Sequence, residues 1–198
     1  MKLQWINNGY LSKISTEELF AQTLVRAKEY APEFASLLQS DEAYAKAAIN
    51  IERHTEKDPK RFTLYSDVQN QILFFFDEEW EKGEESRKTL LAENENFGKL
   101  QDFVREYAEI VDLETDDVLV WFEQLKQIGK KYGYATSNAE FKEGGYIGKT
   151  GDLAMFLRIQ LCNAKQTPDL FSVMKVMGKE RVVRRLGEYL EFSQAWKW

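Results

Sequence analysis

The stretch LRIQLCNAKQTPDLFSVMKVMGKERVVRRL, residues 157–186, decides the fold of this chain. Its apolar residues recur at helical spacing, with a polar turn at residues 163–168 and a break at Gly178. We therefore predict a helix, a turn, a second helix, and a basic third helix. That last helix carries Lys179, Arg181, Arg184 and Arg185. A positive surface beside a rigid turn suits an anionic partner, although a solvated amphipathic face gives the same pattern.

The remainder of the chain shows the same helical periodicity. Ser15 starts a capping box, and Ser40 and Thr115 are candidate caps of later helices. Residues 62–76 and 97–110 each predict one amphipathic helix, and the helix after Thr115 should bury Val118, Leu119, Phe122, Leu125 and Ile128. Residues 134–150 form a glycine-rich polar stretch that we expect to be a loop. The predicted fold class is all-α, a multi-helix architecture with no significant sheet.

Charge is distributed unevenly along the 198 residues, whose formal net charge is −6. Residues 77–117 contain five basic and fifteen acidic residues, whereas residues 118–198 contain thirteen and eight. The acidic middle would repel a polyanion and the basic last third could attract one. The single cysteine, Cys162, excludes an intrachain disulfide, and its apolar surroundings predict a packed thiol. No run reaches the ~20 apolar residues of a membrane span, so we expect a cytoplasmic protein.

Residues that could carry catalysis are scarce. His54 is the single histidine, and the sequence contains neither an HExxH motif nor a Cys/His cluster, so we predict neither a catalytic residue nor a metal site. The segment Gly148-Lys149-Thr150 resembles the end of a phosphate-binding loop, but the first glycine is misplaced. From the residues alone, we interpret the chain as a non-catalytic helical binding module.

The stretch at residues 157–186 also carries a family resemblance. Its Arg-Ile-Gln-Leu, Thr-Pro, Leu-Phe and Gly-Lys-Glu-Arg segments resemble the carboxyl-terminal signature of the bacterial glutamyl-tRNA synthetases. The start, Lys2-Leu3-Gln4-Trp5-Ile6-Asn7 with Tyr10, is similar to the segment that follows that family's catalytic half. Two departures are Cys162-Asn163, where the family has Thr-Gly, and a longer segment at 134–150. The resemblance covers essentially the whole chain.

The resemblance implies a function. In that family the carboxyl-terminal half is a helical cage of two subdomains, here residues 1–76 and 77–198, that grips the tRNA anticodon. A separate amino-terminal half attaches glutamate with ATP and Mg²⁺, and its signature motifs are absent from this chain. We therefore expect a monomeric, tRNA-binding fragment without a cofactor of its own. Its partner would be glutamate tRNA, alone or together with glutamine tRNA.

The resemblance also assigns site residues. Arg158 matches an arginine that contacts an anticodon base, and Thr167, Pro168 and Leu170 match the turn on which anticodon bases stack. The other matched positions are Lys126, on the preceding helix, and either Lys60 or Arg61 as reader of the third anticodon base. The four cations of the last helix would contact phosphates. Two alternatives stay open: Leu170 and Phe171 could be core residues, and some of the cations could pair with Glu180 or Glu188.

A function of another class also fits parts of the sequence. Trp196 and Trp198, together with the acidic middle, could form the docking surface of a helical protein–protein interaction module. Such a module would bind a protein in a salt-tolerant way and would not bind tRNA. A binding surface for tRNA would instead weaken as salt rises, because phosphate contacts release counterions.

Overall fold

The computed structural model describes residues 2–55 and 61–195, and places side chains for residues 6–55 and 61–193. Within these ranges the chain is built almost entirely of α-helices, so the prediction of an all-α fold is confirmed. No helix in this part of the chain has both the length and the apolar character that crossing a membrane requires. The chain divides into two compact units, Met1–Trp80 and Glu81–Trp198, whereas the sequence analysis placed the boundary after residue 76.

The first unit is a set of short helices. They are α1 (Lys2–Leu11), α2 (Thr16–Tyr30), α3 (Pro32–Ser40), α4 (Glu42–Asn50) and α5 (Tyr65–Ile72), followed by a 3₁₀ helix (Leu73–Phe75) and the beginning of α6 (Asp77–Lys82). The core between them is apolar, and Leu19, Leu38 and Ile49 are fully buried. Arg53 is also buried, and it donates to the carbonyl oxygens of Leu11 and Ile14 at 2.9 and 2.8 Å, which ties the end of α1 to the start of α2.

The second unit contains the stretch that decides the fold. Its elements are α7 (Glu84–Ala92), a 3₁₀ helix (Glu95–Lys99), α8 (Gln101–Ile110), α9 (Val118–Lys131), β1 (Tyr134–Ala135), α10 (Asn138–Glu143), β2 (Gly148–Lys149), α11 (Thr150–Cys162), α12 (Leu170–Met177) and α13 (Lys179–Ala195). Helix α11 is buried on nearly all sides, because α7, α9 and α13 pack around it. The predicted order of helix, turn, helix, glycine break and helix is confirmed in α11 to α13.

Residues 134–150 are more ordered than the predicted loop. Strands β1 and β2 pair in parallel, with Tyr134 opposite Gly148, and α10 connects them. Gly148 is required at this point, since a Cβ atom there would lie 2.7 Å from the ring of Tyr134. Gly148 therefore marks close packing, whereas Gly144 and Gly145 have open space around them and adopt a positive φ of 87°. The two-residue strands are too short to show a sequence period.

Two of the three predicted caps are wrong. Ser15 does accept a hydrogen bond from the backbone N–H of Glu18, at 3.0 Å, and caps α2. Ser40, however, is the last residue of α3, and the cap of α4 is Asp41. In the same way, Asp117 caps α9 in place of Thr115. Aspartate and the hydroxyl residues cap helices about equally well, so sequence does not discriminate between such close neighbours.

Helix lengths and faces also depart from the predictions in three places. The predicted helix over 62–76 is shorter, because α5 begins only at Tyr65 and gives way to a 3₁₀ helix. The predicted helix over 97–110 is a 3₁₀ helix followed by α8. In α9, Leu125 and Ile128 are buried as predicted, but Leu119 is 72% exposed and Trp121 is buried, so the predicted face is wrong only in the first turn.

Candidate nucleic-acid interface

The turn between α11 and α12 is a fixed structure in which Arg158 is the central side chain. Its guanidinium Nη1 donates to the carbonyl oxygen of Thr167 at 2.9 Å, to the Thr167 hydroxyl at 2.7 Å, and to the carbonyl oxygen of Pro168 at 3.2 Å. The Thr167 hydroxyl in turn donates to the Pro168 carbonyl. The structure therefore brings three residues of the predicted site together.

Arg158 uses one end of its guanidinium for these contacts. In the part of the chain that the structure describes, Nε and Nη2 make no hydrogen bond, and the side chain is half-buried. An arginine whose plane is fixed by neighbours and whose other donors are unused can donate two parallel hydrogen bonds to a base edge or a phosphate. Thr167 and Pro168 lie beside it, also half-buried, and offer a rigid surface for stacking.

The first residue of the turn is held by a residue that the sequence analysis missed. Asn163 ends α11 in the left-handed conformation, with φ of 56°, and its Oδ1 accepts a hydrogen bond of 2.7 Å from Nη1 of Arg87. Arg87 is fully buried in α7, and its Nη2 lies 3.4 Å from a carboxylate oxygen of Glu188. The family's glycine is thus replaced by an asparagine, the residue next best suited to positive φ.

The surroundings of Arg87 are tightly packed. Burial lowers the pKa of Arg87 and raises that of Glu188, yet the two groups partly offset each other as an ion pair. A Cβ atom on Gly83 would lie 2.1 Å from the side-chain nitrogen of Asn163, so a larger residue there would displace the asparagine. In the sequence, Arg87 and Gly83 belong to an acidic segment that reads as a solvated face, and no local pattern indicates their role.

Leu170 belongs to the core and not to the surface of the turn. Only 2% of its surface is exposed, and the neighbouring Phe171, 3% exposed, stacks on Trp121 with ring centroids 5.5 Å apart. The open alternative that both residues are core is therefore correct. The prediction that a base stacks on Leu170 is wrong in this conformation, because the start of α12 faces inward.

Arg61 has a structural role. It donates to the carbonyl oxygen of Ile51 at 2.7 Å and lies within 3.5 Å of those of Ala48 and Ile49, which are the last carbonyls of α4. Its Nε donates to the side chain of Gln71. A cation at a helix C-terminus stabilises the helix, so Arg61 supports the end of α4. The prediction that Arg61 reads an anticodon base is therefore wrong. Lys60 lies outside the described residues.

Lys126 lies on α9 and makes contacts within that helix. Its ammonium pairs with Glu123 at 3.1 Å and lies 5.3 Å from the centre of the Phe122 ring. The side chain is half-buried along the helix surface. Both contacts are between residues three or four apart on one helix and leave the ammonium accessible. Its assignment to the anticodon stays a prediction.

The four cations of the predicted phosphate grip differ in exposure. Lys179 and Arg184 are exposed and Arg181 is half-buried. Arg185 is fully buried, and its Nη1 donates to the carbonyl oxygen of Leu161 at 2.6 Å. It packs within the unit and cannot reach a phosphate at the surface, so its assignment is wrong.

Arg184 also has intramolecular partners. Its guanidinium lies 3.8 Å from Glu81 and 3.9 Å from Glu188, so the predicted pairing with Glu188 is confirmed. Such exposed pairs are worth only about 0–1 kcal/mol, and a phosphate could displace them. Lys179, Arg181 and Arg184 remain as the cations of this helix that a polyanion can approach.

Comparison with known families gives one match. A family model described as "Anticodon binding domain" matches residues 22–190. The chain belongs to the anticodon-binding domain family. The match spans both compact units, so the family likeness is not confined to the α11–α12 turn.

Individual relatives of this anticodon-binding domain carry one description. This chain is 33% identical over 192 residues to the glutamate–tRNA ligase of Sorangium cellulosum, and 30% identical over 192 residues to that of Clostridium perfringens. Each alignment covers 96% of this chain and 33% or 34% of the relative. The ligase of Thermus thermophilus is 25% identical over 185 residues, 93% of this chain and 33% of the relative. The chain thus spans about a third of the length of the curated relatives it matches, and the resemblance noted from the motifs is confirmed.

The single cysteine of the chain is shielded from solvent. Cys162, next to the turn, is buried, and burial raises the pKa of its thiol to about 12. Among the described residues, no three side chains of His, Cys, Asp or Glu are grouped so that they could bind a metal ion. The interface presents the fixed hydrogen-bond donors of Arg158, a rigid turn and accessible cations.

Proposed function

We propose that this chain binds tRNA through its anticodon, as the anticodon-binding part of a glutamate–tRNA ligase. The observation that carries the proposal is the geometry of Arg158, whose guanidinium is fixed on Thr167 and Pro168 by one nitrogen and keeps its other donors unused. Anticodon bases are unstacked and can be read on their edges, which is what a planar, pre-oriented donor does best. The family match and the relatives' names support the same partner.

In this proposal the residues have separate roles. Arg158, Thr167 and Pro168 contact anticodon bases, whereas Lys179, Arg181 and Arg184 contact phosphates without reading sequence. Both units, in the proposed division at residues 1–76 and 77–198, contribute to the anticodon cage. The specific partner is glutamate tRNA, with glutamine tRNA as a second candidate. Attachment of glutamate would require a catalytic half with ATP and Mg²⁺, in a monomeric cytoplasmic enzyme.

The proposal is tested by measuring binding of this chain to a glutamate tRNA transcript and to transcripts with single anticodon substitutions. Replacement Arg158→Ala should weaken binding to the cognate transcript by about 1–3 kcal/mol and reduce discrimination between anticodons. Arg158→Lys keeps the charge but loses the planar fork, so it should also lose discrimination. Arg105→Ala is the matched control, because Arg105 is exposed on α8 and pairs only with Asp102 among the described residues.

The phosphate contacts have a different signature. Lys179→Ala should weaken binding equally for all anticodons and reduce the slope of log affinity against log salt by about 1. Wild-type affinity that ignores both the anticodon and the salt concentration would contradict the proposal. Equal affinity of Arg158→Ala and wild type would contradict the assignment of the site. Titration with a glutamine tRNA transcript then decides whether one or two tRNAs are partners.

A further inference from the structure

A pocket of about 170 Å³ lies in the first unit, between α2, the start of α3 and α5. Its floor is formed by the buried Thr23, Ala27 and Phe34, and its rim by the exposed Arg26 and Tyr30. Pockets that enclose a whole small molecule measure about 300–1,000 Å³, so this one is sized for a single ring system that projects from a larger ligand. None of the residues assigned to the anticodon lines it.

The floor contains a polar group without a partner. Thr23 is only 2% exposed, and its hydroxyl makes no hydrogen bond to any residue in the described part of the chain. Buried hydroxyls in folded proteins are nearly always paired, and one that is not reduces the stability of the protein. A mid-helix threonine could be replaced by valine without this cost, so the hydroxyl is best explained by a ligand that pairs with it.

The rim combines a cation with an aromatic ring. The guanidinium of Arg26 lies 5.0 Å from the centre of the Tyr30 ring, and 66% of Tyr30 is exposed. Within the described ranges Arg26 forms no ion pair, and no carboxylate lines the pocket. An arginine over a tyrosine presents one flat surface for stacking and a positive charge beside it.

The wall from α5 adds further hydrogen-bonding groups. Tyr65 and Gln69 line the pocket, and neither side chain hydrogen bonds to another residue that the structure describes. Burial raises the pKa of Tyr65 above its ordinary value, so its hydroxyl stays protonated and can donate. Hydroxyl and amide groups of this kind both donate and accept, as the edge of a nucleobase requires.

We propose that this pocket takes one unstacked nucleotide of a single-stranded RNA, with its base against Thr23 and Gln69 and its phosphate beside Arg26. The pocket's size fits one base, its aromatic rim fits stacking, and its unpaired cation fits phosphate. The inference deepens the proposed function and rests on it for the class of ligand, and it adds a nucleotide site in the first unit, whereas the α11–α12 turn lies in the second. It stands or falls independently of Arg158.

The test uses the full chain and four fluorescein-labelled single-stranded RNA pentanucleotides, each made of one base, in fluorescence anisotropy titrations. Thr23→Val should weaken the preferred pentanucleotide about threefold to tenfold while the melting temperature stays equal or rises. Arg26→Gln should weaken all four by about tenfold, through lost phosphate contact. Lys28→Gln is the matched control: it removes the same charge from α2 but not from the pocket, and should change affinity less than about twofold.

The site is located by repeating the titrations in the Arg158→Ala background, where the effect of Thr23→Val should persist. Backbone amide shifts of Thr23 and Gln69 should also follow the titration in ¹H–¹⁵N spectra. The proposal is overturned if no pentanucleotide binds, if Thr23→Val binds like wild type, or if Lys28→Gln weakens binding as much as Arg26→Gln. Pentanucleotide binding without tRNA binding would contradict the proposed function alone, and tRNA binding with an inert pocket would contradict this inference alone.

Discussion

The two ends of the α11–α12 turn are each held by an arginine, and the two arginines differ in almost everything else. Arg87 is fully buried and holds Asn163 at the start of the turn, with Glu188 as its charge partner. Arg158 is half-buried and holds Thr167 and Pro168 at the end, with unused donors. One arginine therefore stabilises the turn from inside and the other presents it to a ligand. Burial and partners, not residue type, separate the two roles.

The largest effect is expected at the buried arginine. Arg87→Ala removes a hydrogen bond to the partly buried Asn163 and an ion pair with the partly buried Glu188, and leaves a cavity. The free energy of unfolding should fall by about 3–5 kcal/mol, as measured by urea denaturation. Arg105→Ala, at an exposed pair, serves as the control and should cost less than about 1 kcal/mol. A loss as small as that of the control would show that Arg87 does not stabilise the turn from inside, and would remove the distinction between Arg87 and Arg158.

A smaller effect is expected at the glycine beneath the turn. In Gly83→Ala the new methyl group would lie 2.1 Å from the Asn163 amide and push it away from Arg87. Overpacking of this kind costs about 1–3 kcal/mol, again read from denaturation. Gly187→Ala in α13 is the comparison, because its Cβ atom would meet nothing within 4 Å. Equal stabilities of the two variants would show that Asn163 is not held in place.

The half-buried arginine, Arg158, should behave in the opposite way. Arg158→Ala breaks hydrogen bonds to the turn that are only partly buried, so the free energy of unfolding should fall by about 1 kcal/mol. The loss of tRNA-binding free energy in Arg158→Ala should be at least as large as its loss of stability. In Arg87→Ala, by contrast, the loss of stability should be the larger of the two. The comparison is measured by plotting the two losses for each variant. A stability loss for Arg158→Ala that matches that of Arg87→Ala would place both residues in the core.

The smallest effect near neutral pH concerns the thiol beside the turn. Because burial raises the pKa of Cys162 to about 12, the native protein should react negligibly with Ellman's reagent at pH 8, and fully in urea. The pKa of the thiol in the unfolded chain is about 8.5. Above that pH the native state therefore binds more protons than the unfolded state does. The contribution of Cys162 to stability is then fully present below about pH 8.5 and is lost as the pH rises towards about 12. Rapid labelling of Cys162 in the native protein would show that the inner side of the turn is open to solvent.

Sequence patterns predicted the helices and their order well because helices depend on local spacing. Sequence alone predicts the capping residue Ser15, the succession of α11, α12 and α13, and the packed Cys162. Faces were less predictable: α9 buries Leu125 and Ile128 as predicted, but its first turn exposes Leu119 and buries Trp121, since an apolar run wider than one helix face leaves open which residues point inward. The β1–β2 pair escaped prediction because pairing joins residues fourteen apart in sequence.

By itself the sequence determined the helical class, the family, and the juxtaposition of Arg158 with Thr167-Pro168, since a turn of fixed length leaves little freedom. Only the tertiary structure decided which cations are available to a ligand. Arg61 is committed to the carbonyls of α4, Arg185 is buried, and Arg87 emerged from an acidic segment as the inner support of the turn. The physical reason is that a charge acquires its role from its solvation and its partners, which contacts distant in sequence determine.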